Sequence, residues 1–194
     1  MPMKSNICLT GSLKGKFLIS VPNSSDSRFN HSVVYICEHS DEEGAMGVVI
    51  NSPNRRIAPQ MLLSALKLTK LTAHFPLQIM WGGPVESTRG FVLHSADYQQ
   101  PSTQKLSSEV YLTATAEILK DIIEQKGPAK AFFALGYTGW TAGQLEMEIA
   151  ANMWFVAEGE IDFIFDTPIG HRWEKALESI GVNPSMLLLE QGSV

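Results

Sequence analysis

Residues 16–21 (KFLISV), 32–38 (SVVYICE) and 45–51 (AMGVVIN) are short apolar runs, rich in β-branched and aromatic residues and bounded by turn-forming ones. All three read as strands. The segment 39–44 (HSDEEG) is short, polar and ends in glycine, so the second and third strands are expected to form an antiparallel hairpin. The chain therefore begins as a β-meander.

Helical periodicity enters after this meander. Residues 59–68 place Leu62, Leu63 and Leu66 on one helical face, with Pro59 suited to an early helical position. Strands are expected at 77–81 and 90–94, on either side of Gly82-Gly83-Pro84, where the glycines give backbone freedom and the proline ends a ladder. The polar stretch 95–108 reads as irregular. Residues 113–126 set Ile118, Leu119, Ile122 and Ile123 at helical spacing, and Gly127-Pro128 is a stop signal. A strand at 131–136 precedes a helix that opens at Thr141, with Gln144 completing a capping-box pattern and Leu145 and Ile149 facing inward. Strands at 153–157 and 161–165 are expected to form a second hairpin across residues 158–160. A last helix over 171–180 turns Trp173, Leu177 and Ile180 inward and stops at Gly181. Strands in runs, hairpins and interspersed helices favour an α+β fold over a doubly wound parallel sheet. The expected architecture is a single compact domain over 1–194 with a mixed, mostly antiparallel sheet, about four helices and a loose segment at 1–14.

Composition narrows the function classes. With 194 residues, 44% hydrophobic and 18% charged, the chain has the profile of a soluble globular protein. The uncharged stretch 131–145 is too short to cross a bilayer and carries three glycines. The start of the chain lacks a secretory apolar region, so a cytoplasmic location without membrane insertion is expected. Cys8 and Cys37 form no CxxC pair, and Cys37, inside an apolar run, reads as a buried core residue. Residues 1–70 carry eight basic and five acidic side chains, whereas 71–194 carry seven and fifteen. Between 146 and 166 stand six carboxylates and no Lys or Arg, a distribution that repels phosphates. Direct DNA binding is not expected.

The segment 136–144 (GYTGWTAGQ) reads as the end of a strand, a Gly-rich turn and a helix start. Free N–H groups at a helix start and close backbone approach at glycine suit an anion or small ligand. The alternative is that Gly136 and Gly139 solve a sharp turn while Tyr137 and Trp140 fill core. The GxxGxxxG spacing fits neither a dinucleotide fingerprint nor a phosphate loop, which would need Lys where Gln144 stands. Arg89 and His94 beside Gly82-Gly83-Pro84-Val85 suggest an anion pocket, with an ordinary loop and rim arginine as the alternative. The candidate ligand-binding residues are Arg89, His94, Gly136, Gly139, Gly143, Gln144 and Glu146. Glu146 and Glu148 project about 200° apart on a helix and cannot jointly grip one metal; one of them is expected to pair with Arg89 or a histidine. The five histidines show no HxH or HExxH spacing, and Ser32 beside His31 sits in no GxSxG elbow. No metal, cofactor or catalytic residue is assigned.

The wording of the chain adds a resemblance. Gly15-Lys16-Phe17-Leu18-Ile19, Phe29-x-His31-Ser32-Val33-Val34-Tyr35, Gly44-Ala45-Met46-Gly47 to Asn51, Gly82-Gly83-Pro84-Val85, Arg89-Gly90-Phe91-Val92-Leu93-His94 and Gly136-Tyr137-x-Gly139-Trp140-x-x-Gly143-Gln144-Leu145-Glu146-x-Glu148 resemble the bacterial YqgE/AlgH family. The likeness runs in order through Trp154, Phe165 and Arg172-Trp173 to Gly192, departing at the extra N-terminal residues and at Thr138, where a small residue is expected. It implies a compact α+β fold and a bacterial cytosolic protein, with no established activity, cofactor or catalytic residue. Some members carry the label of transcriptional regulators affecting alginate production, which names no molecular mechanism.

The function expected first is a non-enzymatic binding or regulatory protein acting through a protein partner or a small anionic ligand. The alternative is an enzyme for a small anionic substrate, using His39 or His94 with Glu146 or Glu148 as acid and base and Arg89 as anchor. Substitution of Gly139, Arg89 or His94 is expected to abolish binding and leave the fold largely intact.

Overall fold

The computed structural model describes residues 11–22, 26–68 and 77–189. The loose segment expected at the start therefore lies largely outside the described residues, together with Cys8, His74 and Gly192. Among the described residues nine strands form one sheet: β1 (Lys16–Ser20), β2 (Val33–Ser40), β3 (Gly44–Val49), β4 (Ile79–Trp81), β5 (Val85–Ser95), β6 (Gln104–Lys105), β7 (Val110–Thr113), β8 (Ala131–Trp140) and β9 (Trp154–Glu158). Their order is β6-β7-β5-β8-β3-β2-β1-β9, with β4 pairing β8 in parallel and every other ladder antiparallel. The described residues also form six α-helices: α1 (Pro59–Ala65), α2 (Ala116–Ile123), α3 (Gln144–Ala150), α4 (Ile161–Asp166), α5 (Arg172–Ser179) and α6 (Pro184–Leu189). Four of them reach seven residues, and the α+β class expected from the strand and helix runs is the one observed.

The apolar runs are continuous because both faces of the sheet are covered. Phe17, Ile19, Val33, Tyr35 and Cys37 point into the concave interior, where Leu93 and Leu112 from the far strands and Trp173 and Leu177 from α5 meet them. The alternate residues Leu18, Val34 and Ile36 pack outward with Leu145 of α3 and Trp154. Farther along the sheet, Val92, Phe133 and Leu135 pack outward against Ile118, Leu119 and Ile123 of α2. The sheet curls until Gln104 of β6 donates to Glu38 of β2 at 2.9 Å, although four strands separate them in the sheet order.

Three local expectations are corrected. Residues 161–165 are α4, not a strand, and β9 pairs with β1 rather than with them. A short apolar run has no periodicity to separate a strand from a buried helix. Packing decides for the helix: Ile161, Ile164 and Phe165, at helical spacing, pack on the interior core, and Lys130 bridges Asp162 at 3.0 Å and Asp166 at 2.6 Å on its exposed side. The stretch 95–108 contains the short edge strand β6. Finally, β8 runs on through Trp140, so residues 136–140 of the Gly-rich segment are strand, the turn is confined to 141–143, and the helix begins at Gln144 instead of Thr141.

Gly136 explains that extension. Before it, Phe132 and Ala134 face the interior; after it, the interior neighbour is Tyr137, and Trp140 packs outward. A φ of +76° lets Gly136 insert one residue and invert the alternation, as a β-bulge does. It also lies against the Gly82-Gly83 crossing: a Cβ on Gly136 would stand 2.4 Å from the Gly83 carbonyl oxygen, and one on Gly83 would stand 2.1 Å from the Tyr137 carbonyl carbon.

Candidate functional site

Where the curled sheet opens at one end, its interior becomes a cleft of about 910 Å³. Met46, Phe91, Leu112 and Tyr137 line it as a continuation of the interior core, with Trp140 and Gly139 from the end of β8. Arg89 and Val85 stand on one side; Glu38, His39 and Glu43 stand on the other.

Arg89 owes its place to a second irregularity. The β5–β8 register jumps from Val85 opposite Tyr137 to Gly90 opposite Leu135, so residues 86–89 bulge out with only Gly136 facing them. Glu86 accepts a positive φ of +44° within that bulge. Bulges re-aim side chains beside sites. Here the guanidinium lies 5.2 Å over the Phe91 ring, and its Nη1 donates to Glu86 at 2.9 Å. At 54% side-chain exposure Arg89 still faces solvent and the cleft. Gly139 and Gln144 join it there, and the Cβ position of Gly139 has no atom nearer than 3.5 Å.

The other candidates are placed elsewhere. Gly136 serves the crossing with Gly83 described above. Gly143 is the left-handed residue before α3, with φ +74° and open space around it. Half of the expected capping box forms, since the Gln144 side chain accepts the Thr141 N–H at 3.0 Å. His94 is fully buried and outside the cleft. Its Nδ1–H donates to the Ser95 carbonyl at 2.9 Å, and its Nε2 accepts the Thr113 hydroxyl at 2.9 Å, which is bonded in turn to Thr103 at 2.7 Å. The expectation that replacing His94 spares the fold does not suit a side chain so enclosed.

Burial lowers the His94 pKa, against smaller raising effects from the Ser95 carbonyl and Asp97. A histidine held neutral in the fold binds its proton more readily when unfolded, so stability rises with pH below the ordinary value of 6.5. We expect the urea midpoint to fall between pH 7 and the lowered folded pKa, and His94→Gln to flatten that slope whatever it does to absolute stability. Equal slopes in both proteins would exclude His94 as the source.

Glu146 does pair with a histidine. His39 Nε2 lies 2.6 Å from Glu146 Oε1, and His39 Nδ1 accepts the Leu13 N–H at 3.1 Å. The Nδ1 contact places the proton of the neutral ring on Nε2, which donates to the carboxylate. Burial pushes the Glu146 pKa upward, but its own N–H and His39 outweigh this and leave it below the usual range. Both ring nitrogens of His39 are therefore occupied, and neither is directed at a substrate. Glu146 lines a smaller pocket of about 480 Å³ with His39 and Ser12, adjoining the cleft. Glu148, on another side of α3, accepts both indole N–H groups of Trp140 and Trp154 at 2.8 Å and the Gln144 amide at 2.9 Å.

Sequence reasoning missed Glu38, Glu43, Met46 and Tyr137 as cleft residues. A signal existed only for Tyr137 and Gly139, whose spacing of two places them on one strand face. Cys37 is buried, and burial raises its thiol pKa far from reactivity. Among the described residues no three His, Cys, Asp or Glu side chains converge on a metal position, and no helix is long and apolar enough to cross a membrane.

The molecule is thus defined by a curled, mostly antiparallel sheet, covered by helices on both faces and open at one end to a large cleft. The chain belongs to the AlgH-like family, whose family model matches residues 17–185. It is 44% identical over 188 residues to a UPF0301 protein of Methylocella silvestris, spanning 93% of this chain and 91% of that one. A UPF0301 protein of Brucella abortus is 43% identical over 190 residues, spanning 94% of each chain. Among solved structures, the AlgH protein of Pseudomonas aeruginosa superposes with a TM-score of 0.73 at 36% identity, over 97% of both chains. Protein DIP2367 of Corynebacterium diphtheriae shares the fold with a TM-score of 0.67 at 21% identity, over 93% of this chain and 91% of that one.

Proposed function

We propose that this chain is a non-enzymatic, cytoplasmic binding protein whose cleft holds a small anionic ligand or an anionic segment of a partner protein against Arg89. The observation that carries the reading is the bulge at residues 86–89, which sets one guanidinium at the mouth of a cleft floored by apolar and aromatic side chains. Arg89, Gly139 and Gln144 contact the ligand, and Phe91, Tyr137 and Met46 take its apolar part. Any effect on transcription is indirect, through the bound molecule or partner. The enzyme alternative has the His39–Glu146 pair in its favour, but that ring has no free nitrogen for a substrate proton.

Native mass spectrometry of protein purified gently from its source tests this reading. A discrete retained mass is expected on the wild type and absent from Arg89→Ala and Gly139→Val, whose circular dichroism and melting stay close to wild type because both positions are exposed. The same mass on all three proteins would remove the ligand from this cleft. Turnover of the retained compound would restore the enzyme reading.

A further inference from the structure

A second arginine is placed very differently from Arg89. Arg172 opens α5 and is only 4% exposed. Its Nε donates to the Thr167 carbonyl at 2.9 Å, Nη1 donates to the Ile50 carbonyl, and the guanidinium stacks 5.5 Å over the Phe132 ring. No carboxylate pairs with it among the described residues, and Nη2, which solvent reaches, makes no hydrogen bond to them. Asp162 and Asp166, on the neighbouring α4, are held by Lys130. A buried charge is normally matched by an opposite one, because backbone carbonyls return only part of its lost hydration.

The missing counter-charge has a place to sit. Arg172 forms part of the wall of a cavity of about 160 Å³ between α4 and the β4 and β8 strands. Apart from Arg172 and the exposed amide of Gln78, its lining side chains are apolar, including Met80, Phe132, Ile164 and Phe165. At ~30 Å³ per water-sized group, the cavity takes about five or six non-hydrogen atoms. A phosphate or sulfate needs donors around all its oxygens, whereas one guanidinium edge and apolar walls match a planar carboxylate with a short alkyl tail.

We propose that this cavity binds a short-chain aliphatic carboxylate, with its head group on Nη2 of Arg172 and its tail against Met80, Ile164 and Phe165. The site is independent of the Arg89 cleft and shares no lining residue with it.

Sodium butyrate is the probe, with butyramide at the same concentration as the neutral control of equal size. We expect saturable amide chemical-shift changes in α4, α5 and the 131–133 segment with butyrate, none with butyramide, and loss of the response in Arg172→Met. Should Arg172→Met fail to fold, Ile169→Trp adds bulk at a half-buried lining position on the same interior face as Phe132 and Ile164, leaves the guanidinium intact, and is expected to weaken butyrate binding by about tenfold or more. Arg89→Ala, which alters only the cleft, keeps the full response and so separates this proposal from the preceding one. Equal shifts with butyrate and butyramide, an unchanged response in Ile169→Trp, or no saturable shift in the wild type would each overturn it.

Discussion

Replacing Glu148 by Leu is expected to cost about 4 kcal/mol of folding stability, because it leaves two enclosed indole N–H groups without an acceptor at roughly 1–3 kcal/mol each. Trp140 and Trp154 are 7% and 6% exposed and share the Oε2 atom of this carboxylate, so neither can turn to water without moving the other. Their rings meet edge to face at 6.0 Å, in the outer layer that seals α3 to the sheet. For a chain of this size the loss corresponds to a fall in melting temperature of about 10 °C. Glu148→Gln keeps one carbonyl oxygen and is expected to lose about half as much. Urea denaturation of the two variants gives the free energies, and near-ultraviolet circular dichroism reports the indole pair. A loss below about 1 kcal/mol for the leucine variant would show that water replaces the carboxylate.

Gly136→Ala should be as damaging, and Gly139→Ala nearly silent, although the two glycines stand three residues apart in one motif. At Gly136 an added methyl group meets the Gly83 carbonyl oxygen at 2.4 Å and the Val85 oxygen at 3.0 Å, on a residue already at positive φ. The obstacles are backbone atoms of the β4–β5 connection, which cannot rotate away, so a loss of about 3 kcal/mol or more is expected. At Gly139 the nearest atom is a Tyr137 ring carbon at 3.5 Å, an ordinary contact, and the change should remain within about 1 kcal/mol. Parallel urea titrations decide the matter. Equal effects at both sites would mean that the close approach of Gly83 and Gly136 relaxes freely.

Much of the architecture was legible in the chain. The runs at 16–21, 32–38 and 45–51 are strands because β-branched apolar residues bounded by turn chemistry leave little else, and β2 and β3 form the expected hairpin. The stop at Gly127-Pro128 and the spacing of Ile118, Leu119, Ile122 and Ile123 locate α2. One of Glu146 and Glu148 was expected to pair with Arg89 or a histidine, and Glu146 pairs with His39. The misreadings share one cause: local pattern was asked to decide what distant neighbours decide. Ile161–Asp166 is helical because Ile161, Ile164 and Phe165 pack on an interior core built from strands remote in sequence, while β1 supplies the partner that β9 needs. The glycines of the 136–144 segment read as a turn because a break in alternation looks the same whether the chain reverses or bulges.

By itself the sequence determined most of the strands and helices, and that they form an α+β domain, because side-chain branching, apolar spacing and capping act over a few residues. Only the tertiary structure decided which side chains share the cleft. Gly136 inverts the inward face of β8, the 86–89 bulge turns Arg89 over Phe91, and the curl of the sheet brings Glu38 toward Gln104. It also decided that Arg172 is buried without a carboxylate beside it. Those outcomes depend on register, bulges and sheet curvature, which are set by contacts between segments remote in sequence and leave no local periodicity behind.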